Sequence, residues 1–214
     1  MLLEAAHNGG MAARVALVQL WLSEGIPHAF HKCPAIYESI RNWLSGQIDV
    51  HAKEISLIGS ARLGKSYVPN QLGKPFDGES DLDLLVVSHT LFAKLREEFY
   101  LWSLHYESGE IDARIPQESR RFWPSNLEVV PKNIERGFID TRKIPNLPSY
   151  PTAQSINNTM WKLVEKLEST PNAPSPKKAS IRCYSSWDRF VQQNSLNLKW
   201  ASDKWAAKRL KGES

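Results

Sequence analysis

The 214-residue sequence predicts an α+β fold, a small mixed β-sheet flanked by helices with a short helical segment towards its C-terminal end. Three observations predict it. Two short apolar runs, Ile55 to Ile58 and Leu82 to Val87, have strand length and are bounded by turn residues. Several longer stretches instead repeat apolar residues every three or four positions, the period of a helix with one buried face. A composition of 42% apolar and 23% charged residues supplies one core of ordinary size and excludes a disordered or fibrous chain.

Residues 1–50 read as helices packing on the core. Residues 1–10, around Gly9 and Gly10, are expected to be loosely held. Met11 to Ser23 has a helical apolar pattern through Val15, Val18 and Leu22, and Gly25-Ile26-Pro27 stops it. Pro34 opens a second helix through Ile36, Ile40, Trp43 and Leu44, with Gly46 as its expected end.

Residues 51–169 form the predicted core unit. Ile55 to Ile58 is a buried strand feeding a Gly59-Ser60 turn, and Arg62 to Ser80 is a long loop rich in Gly, Pro, Asn and Asp. After the Asp81 strand, Thr90 to Leu104 is a helix capped by His89 or Thr90. Glu110 to Ile115 and Leu127 to Val130 are expected to pair as a hairpin beside the central strands. Pro145, Pro148 and Pro151 make a rigid connector into a helix from Thr152 to Leu167.

Residues 170–176 read as a linker, and residues 177–214 as a basic helical segment made of Ser185 to Gln193 and Leu196 to Leu210. Trp161, Trp187, Trp200 and Trp205 stand at helical spacing among apolar neighbours and are expected in the core. Charge is uneven along the chain. From Lys177 onward there are nine Lys/Arg against three Asp/Glu, and before it 18 against 20, so the basic character lies in this last segment. That is where a nucleic acid or a partner protein would bind, although a solvated basic helix has the same composition.

Cys33 and Cys183 are far apart and without metal-ligand spacing, which predicts free thiols in a reducing compartment. His28, His31 and Cys33 lack a further ligand group to complete a zinc site. The longest apolar run, Val15 to Leu22, is too short to span a bilayer, and no basic stretch precedes an apolar core at the N-terminus. The expectation is a cytoplasmic protein without membrane contact.

Two motifs share the loop after the first strand. Gly59-Ser-Ala-Arg-Leu-Gly64-Lys65-Ser66 fits G-x-x-x-x-G-K-[ST], the phosphate loop of P-loop nucleotidases, which needs a helix beginning at its Lys-Ser. Here Lys65-Ser66 runs into Tyr67-Val68-Pro69-Asn70, with Gly73 and Pro75 close behind, so that helix is missing. The second motif joins the Gly59-Ser60 turn to Ser80-Asp81-Leu82-Asp83-Leu84 on the next strand. Strand alternation puts Asp81 and Asp83 on one face, an oxygen-rich pair suited to Mg²⁺, which prefers carboxylates, water and phosphate.

On the residues Ile58-Gly59-Ser60 and Ser80-Asp81-Leu82-Asp83, the chain resembles the DNA polymerase β-like nucleotidyltransferase superfamily. Ser-Asp-Leu-Asp-Leu-Leu-Val-Val is similar to the form seen in bacterial minimal nucleotidyltransferases and in enzymes that make nucleotide second messengers. The resemblance covers about residues 55–131. It implies a two-metal nucleotidyltransferase using Mg²⁺ or Mn²⁺, with a nucleoside triphosphate as substrate and a hydroxyl acceptor, in a setting that includes bacterial antiviral defence. It further implies a third acidic residue on a later strand. Glu128, in Leu127-Glu128-Val129-Val130-Pro131, fits the position that messenger-making enzymes fill just before Val-Pro, and Asp112 is the competing candidate.

On this resemblance Asp81, Asp83 and Glu128 are the metal-binding and catalytic residues, and Gly59, Ser60, Arg62 and Lys65 bind the nucleotide, with Lys74 a further cation in the loop. Tyr67, Phe76 and Tyr106 are candidates for stacking on a base or for packing. The twenty residues between Ser60 and Asp81 exceed the family's usual spacer, which places extra chain over the phosphate end of the site. The alternative is a non-catalytic nucleotide-binding or antitoxin-like module.

Overall fold

The computed structural model describes residues 2–111 and 120–210. It is α+β, with a four-stranded mixed sheet and helices around it. Strand β1 is Ile55–Leu57, β2 is Asp81–Val87, β3 is Phe138–Asp140 and β4 is Lys178–Tyr184. The spatial order is β1-β2-β4-β3. β1 pairs antiparallel with β2, β2 pairs parallel with β4 along seven residues, and β3 closes the other edge antiparallel to β4.

Among the described residues the α-helices are α1 (Leu2–Asn8), α2 (Gly10–Leu17), α3 (Pro34–Ile48), α4 (Gly59–Leu63), α5 (His89–Glu107), α6 (Trp123–Glu135), α7 (Pro151–Glu168) and α8 (Trp187–Leu210). Around the first two strands the expected helices are present with shifted ends, but Gly59–Leu63 is a short helix where the sequence predicts a turn and the start of a long loop, and Arg62 belongs to it. α2 continues into a π-helical turn at Val18–Leu22. α3 passes through Gly46 and stops where Asp49 takes a left-handed conformation, φ 53°. α5 is capped by Ser88, whose hydroxyl accepts from the Leu91 N–H, so the capping residue is the one before His89. Residues 2–8 are not loose, because α1 buries Leu2, Leu3 and Ala6.

Other expectations give way. Leu127 to Val130 is not a strand but part of α6. Its buried residues Trp123, Asn126 and Val130 recur at helical spacing while Val129 is exposed, so one helical stripe is covered and strand alternation is absent. Glu110 and Ile111 lie outside any strand, and the remainder of the expected Glu110 to Ile115 strand, with Asp112, lies outside the described residues.

The basic C-terminal segment is not wholly helical: Lys178–Tyr184 is a central strand, and the expected helical pair is the single helix α8. Residues 170–176 therefore join α7 to the sheet, with Ala173 packed against the core. Nor are the C-terminal tryptophans core: Trp161, Trp187 and Trp200 are exposed and Trp205 is half-buried outside both apolar clusters, whereas Trp102 and Trp123 are buried and meet edge to face, 5.8 Å between ring centroids.

Two apolar clusters follow from strand alternation. On one face Leu82, Leu84 and Val86 of β2, with Ile181 and Cys183 of β4, join the main core under α3, α5, α6 and α7. On the other face Leu85, Val87 and Tyr184 meet Leu2, Ala6, Val18, Leu22, Phe190 and Leu198 in a smaller cluster under α1, the π turn and α8. α7 is pinned at its start by Glu98 of α5, whose carboxylate accepts from the Thr152 and Ala153 N–H groups at 2.7 and 2.9 Å. No helix among the described residues is long and apolar enough to cross a membrane.

Candidate functional site

The second face of the sheet is only partly covered, and a cavity of about 570 Å³ opens beside the start of β2. Gly59 and Ser60 line it from the end of β1, Asp81 and Asp83 from β2, Ser180 and Arg182 from β4, and Asp140 from β3. Alternation explains the set: β2 presents Asp81 and Asp83 to the cavity while Leu82 and Leu84 turn into the main core. The register then places Ser180 beside Asp83 and Asp140 beside Arg182.

The turn is held against the carboxylates by backbone pairing. The Ile58 N–H donates to the Asp83 carbonyl at 2.9 Å, and Gly59 follows at φ 67°. A Cβ at Gly59 would stand 3.6 Å from Asp83 Oδ2, so the glycine meets both a left-handed backbone and a close carboxylate. The Ser180 hydroxyl donates to Asp83 Oδ1 at 2.7 Å, leaving Oδ2 as the oxygen facing the turn.

Two arginines balance the acids. Arg142 places Nη1 3.8 Å from Asp81 Oδ2 and Nε 3.5 Å from Asp140 Oδ1, and Arg182 Nη2 lies 3.9 Å from Asp140 Oδ2. Desolvation draws the Arg182 guanidinium down, but Tyr184, Asp140 and Asp83 outweigh it and carry its pKa above the usual arginine value. The loop between α4 and β2 forms the far wall with Ser66, Tyr67, Val68 and Lys74, and burial pushes the Tyr67 phenol up from its ordinary value.

Of the residues expected from the sequence, Gly59, Ser60, Asp81 and Asp83 come together. Three others do not join them. Glu128 is exposed on α6 and is not among the residues lining the cavity; the segment that was to carry it beside Asp83 is a helix. Arg62 is 5% exposed and turned away, donating from Nε to the Trp21 carbonyl and from Nη1 to the Gly25 carbonyl, both at 2.9 Å. It ties α4 to the N-terminal helices, and its own burial lowers its pKa. Lys65 is exposed in a bridge to Pro75, and Lys74 is the loop cation that lines the cavity instead. Among the aromatic candidates Tyr67 lines the cavity, whereas Phe76 and Tyr106 pack on the main core.

The structure also separates the two loop motifs. α4 begins at Gly59 and ends with Gly64 in a left-handed conformation, so Lys65-Ser66 follows a helix rather than starting one, the reverse of the P-loop order. His28 and His31 stack at 5.1 Å, and His31 Nδ1 lies 2.6 Å from the His28 carbonyl oxygen. No group of three or more His, Cys, Asp or Glu residues placed to hold a metal occurs among the described residues.

Sequence reasoning missed Asp140, Ser180 and Arg182, and missed that Asn194, Asn197 and Trp200 of α8 reach the same cavity. The signal for β4 was present. In Lys178-Ala-Ser-Ile-Arg-Cys-Tyr184 the polar Ser180 and Arg182 alternate with Ile181 and Cys183, a strand pattern hidden by the basic residues around it. Compared with protein-family models, curated proteins and solved structures, the chain shows no significant match to any.

Proposed function

We propose that the chain is a metal-dependent nucleotidyltransferase that moves a nucleoside monophosphate from a nucleoside triphosphate to a hydroxyl acceptor, a nucleotide or a nucleic-acid end, and releases pyrophosphate. The observation that carries this reading is the meeting of the Gly59-Ser60 turn with Asp81 and Asp83 in one cavity.

The donor set fits Mg²⁺ or Mn²⁺ delivered with its substrate. Mg²⁺ is usually held by one or two carboxylates and completed by water and substrate phosphates, and Asp81 with Asp83 Oδ2 supplies such a pair. A bound ion would neutralise phosphate charge and activate the attacking hydroxyl. The protein's own contribution is positioning. The Ser60 and Ser66 hydroxyls and the Lys74 ammonium are available to the triphosphate, and the acceptor hydroxyl displaces pyrophosphate at the α-phosphorus without a covalent enzyme intermediate. Ser180 fixes the Asp83 carboxylate for that role.

A second reading, a non-catalytic nucleotide-binding or antitoxin-like module, is favoured by one observation: Arg142 and Arg182 sit within 4 Å of Asp81 and Asp140 and offset their charge. The two readings separate in one assay. Pure protein is incubated with Mg²⁺ or Mn²⁺ and each labelled nucleoside triphosphate, with and without RNA, and the products are resolved. Transfer predicts pyrophosphate release with label in a new oligonucleotide or on the RNA, abolished by Asp81→Ala and by Asp83→Ala with thermal stability nearly unchanged. No turnover under any condition, or wild-type turnover in either variant, overturns the transferase assignment.

A further inference from the structure

We propose that the wall of the cavity built by α8 is a nucleobase slot, with the Trp200 indole as its stacking platform and the Asn197 side-chain amide at the base edge. The proposal rests on reading the cavity as a nucleotide site, though not on transfer chemistry, because a non-catalytic binder would use the same slot.

The orientation of α8 comes first. Leu198 and Ala201 are buried at 4% and 1% exposure, which fixes the helix on the sheet's second face and leaves Trp200 to one side of that buried stripe at 54%. Trp200 therefore lines the cavity without filling a core position. Tyr67 belongs to the loop on the other side, and the Lys204 ammonium donates to Asn70 Oδ1 at 3.4 Å, tying α8 to that loop. Two walls, each with an aromatic ring, are thus joined across the opening. Flat rings of this kind bind bases by stacking with little regard to their identity.

The amides of α8 differ in how far they are engaged. Asn194 is a fixture: its Nδ2 donates to the Phe190 carbonyl at 2.9 Å and to the Tyr184 hydroxyl at 3.3 Å. Asn197 accepts at Oδ1 from Gln193 Nε2 at 3.1 Å, while its Nδ2 makes only a 3.5 Å contact with Asn194 Oδ1. A donor remains available at the edge of the slot, suited to the ring nitrogens and carbonyl oxygens of a base. The other end of the cavity holds Gly59, Ser60, Asp81 and Asp83. A ligand that satisfies both ends has a flat aromatic head and a phosphate tail that can bring a divalent cation. At about 570 Å³ the cavity is of small-molecule size.

The test is calorimetric titration of the intact protein, with Mg²⁺, by non-hydrolysable analogues of the four ribonucleoside triphosphates and by inorganic tripolyphosphate. In the wild type the nucleotides are expected to bind at least about tenfold more tightly than tripolyphosphate, the margin one stacked base supplies. Trp200→Ala should close most of that gap and leave tripolyphosphate affinity within about twofold, while Trp200→Phe should keep it. Equal affinity for nucleotide and tripolyphosphate in the wild type overturns the slot. So does an unchanged gap in Trp200→Ala, or a Trp200→Phe variant that behaves like Trp200→Ala. Trp200-dependent binding without turnover leaves the slot standing and removes only the transferase. Failure of every ligand to bind removes the nucleotide reading as well.

Discussion

The two faces of the sheet are built to different ends. One is apolar along its whole length: Leu82, Leu84 and Val86 of β2 continue into Ile181, Cys183 and Ile139, and four long helices cover them. The other is divided. Leu85, Val87 and Tyr184 are covered by α1, the π turn and α8, while Asp81, Asp83, Ser180 and Arg182 are left to the cavity. One strand serves both, because alternation lets β2 anchor itself on one side and display carboxylates on the other. The continuous face carries stability, and the divided face gives up part of its burial to hold polar groups in fixed positions.

The sharpest way to break this comparison is to weaken the continuous face alone. Leu82→Ala, at 1% exposure, should cost about 2–5 kcal/mol in chemical denaturation, while the proposed nucleotide binding of the protein that remains folded stays near wild type. A change in affinity as large as the change in stability would show that the faces are not separable.

Arg62→Met tests how the divided face is closed. The guanidinium that joins α4 to the Trp21 and Gly25 carbonyls would be lost, at about 1–3 kcal/mol, with the loss read as faster protease cleavage or hydrogen exchange in residues 2–25. If Arg62 gripped substrate instead, nucleotide affinity would fall and the N-terminal helices would stay protected.

The smallest effect at neutral pH concerns Cys183, on the continuous face, whose thiol burial pushes up from 9.0 to about 12. With its folded pKa raised above the unfolded value, the stability it supports is whole below about pH 9. It declines as pH climbs towards 12, by about 1 kcal/mol per pH unit. Denaturation midpoints measured between pH 8 and 10.5 should show this slope, and Cys183→Ala should flatten it.

How legible the molecule was depended on how local the signals were. The turn at Gly59-Ser60 and the Asp81-x-Asp83 strand were readable because each rests on a few adjacent residues with strong preferences. Glu128 misled because Leu-Glu-Val-Val-Pro has β-prone residues, and only the wider stripe of Trp123, Asn126 and Val130 reveals a helix. Arg62 misled for the opposite reason: cations beside a phosphate-like turn invite a ligand, but its partners are carbonyls about forty residues away, which no local pattern encodes. Asp140, Ser180 and Arg182 reach the cavity through strand pairing across more than forty residues, so their relevance exists only once the sheet is assembled.

β4 lies between β2 and β3 in space yet comes last of the strands in the chain. Until residues 178–184 leave the ribosome, the Asp-x-Asp strand is an unprotected edge and β3 has no partner among the described strands. The order of synthesis thus lets β1 pair with β2 early but completes the four-stranded sheet and the cavity only once residues 178–184 are made.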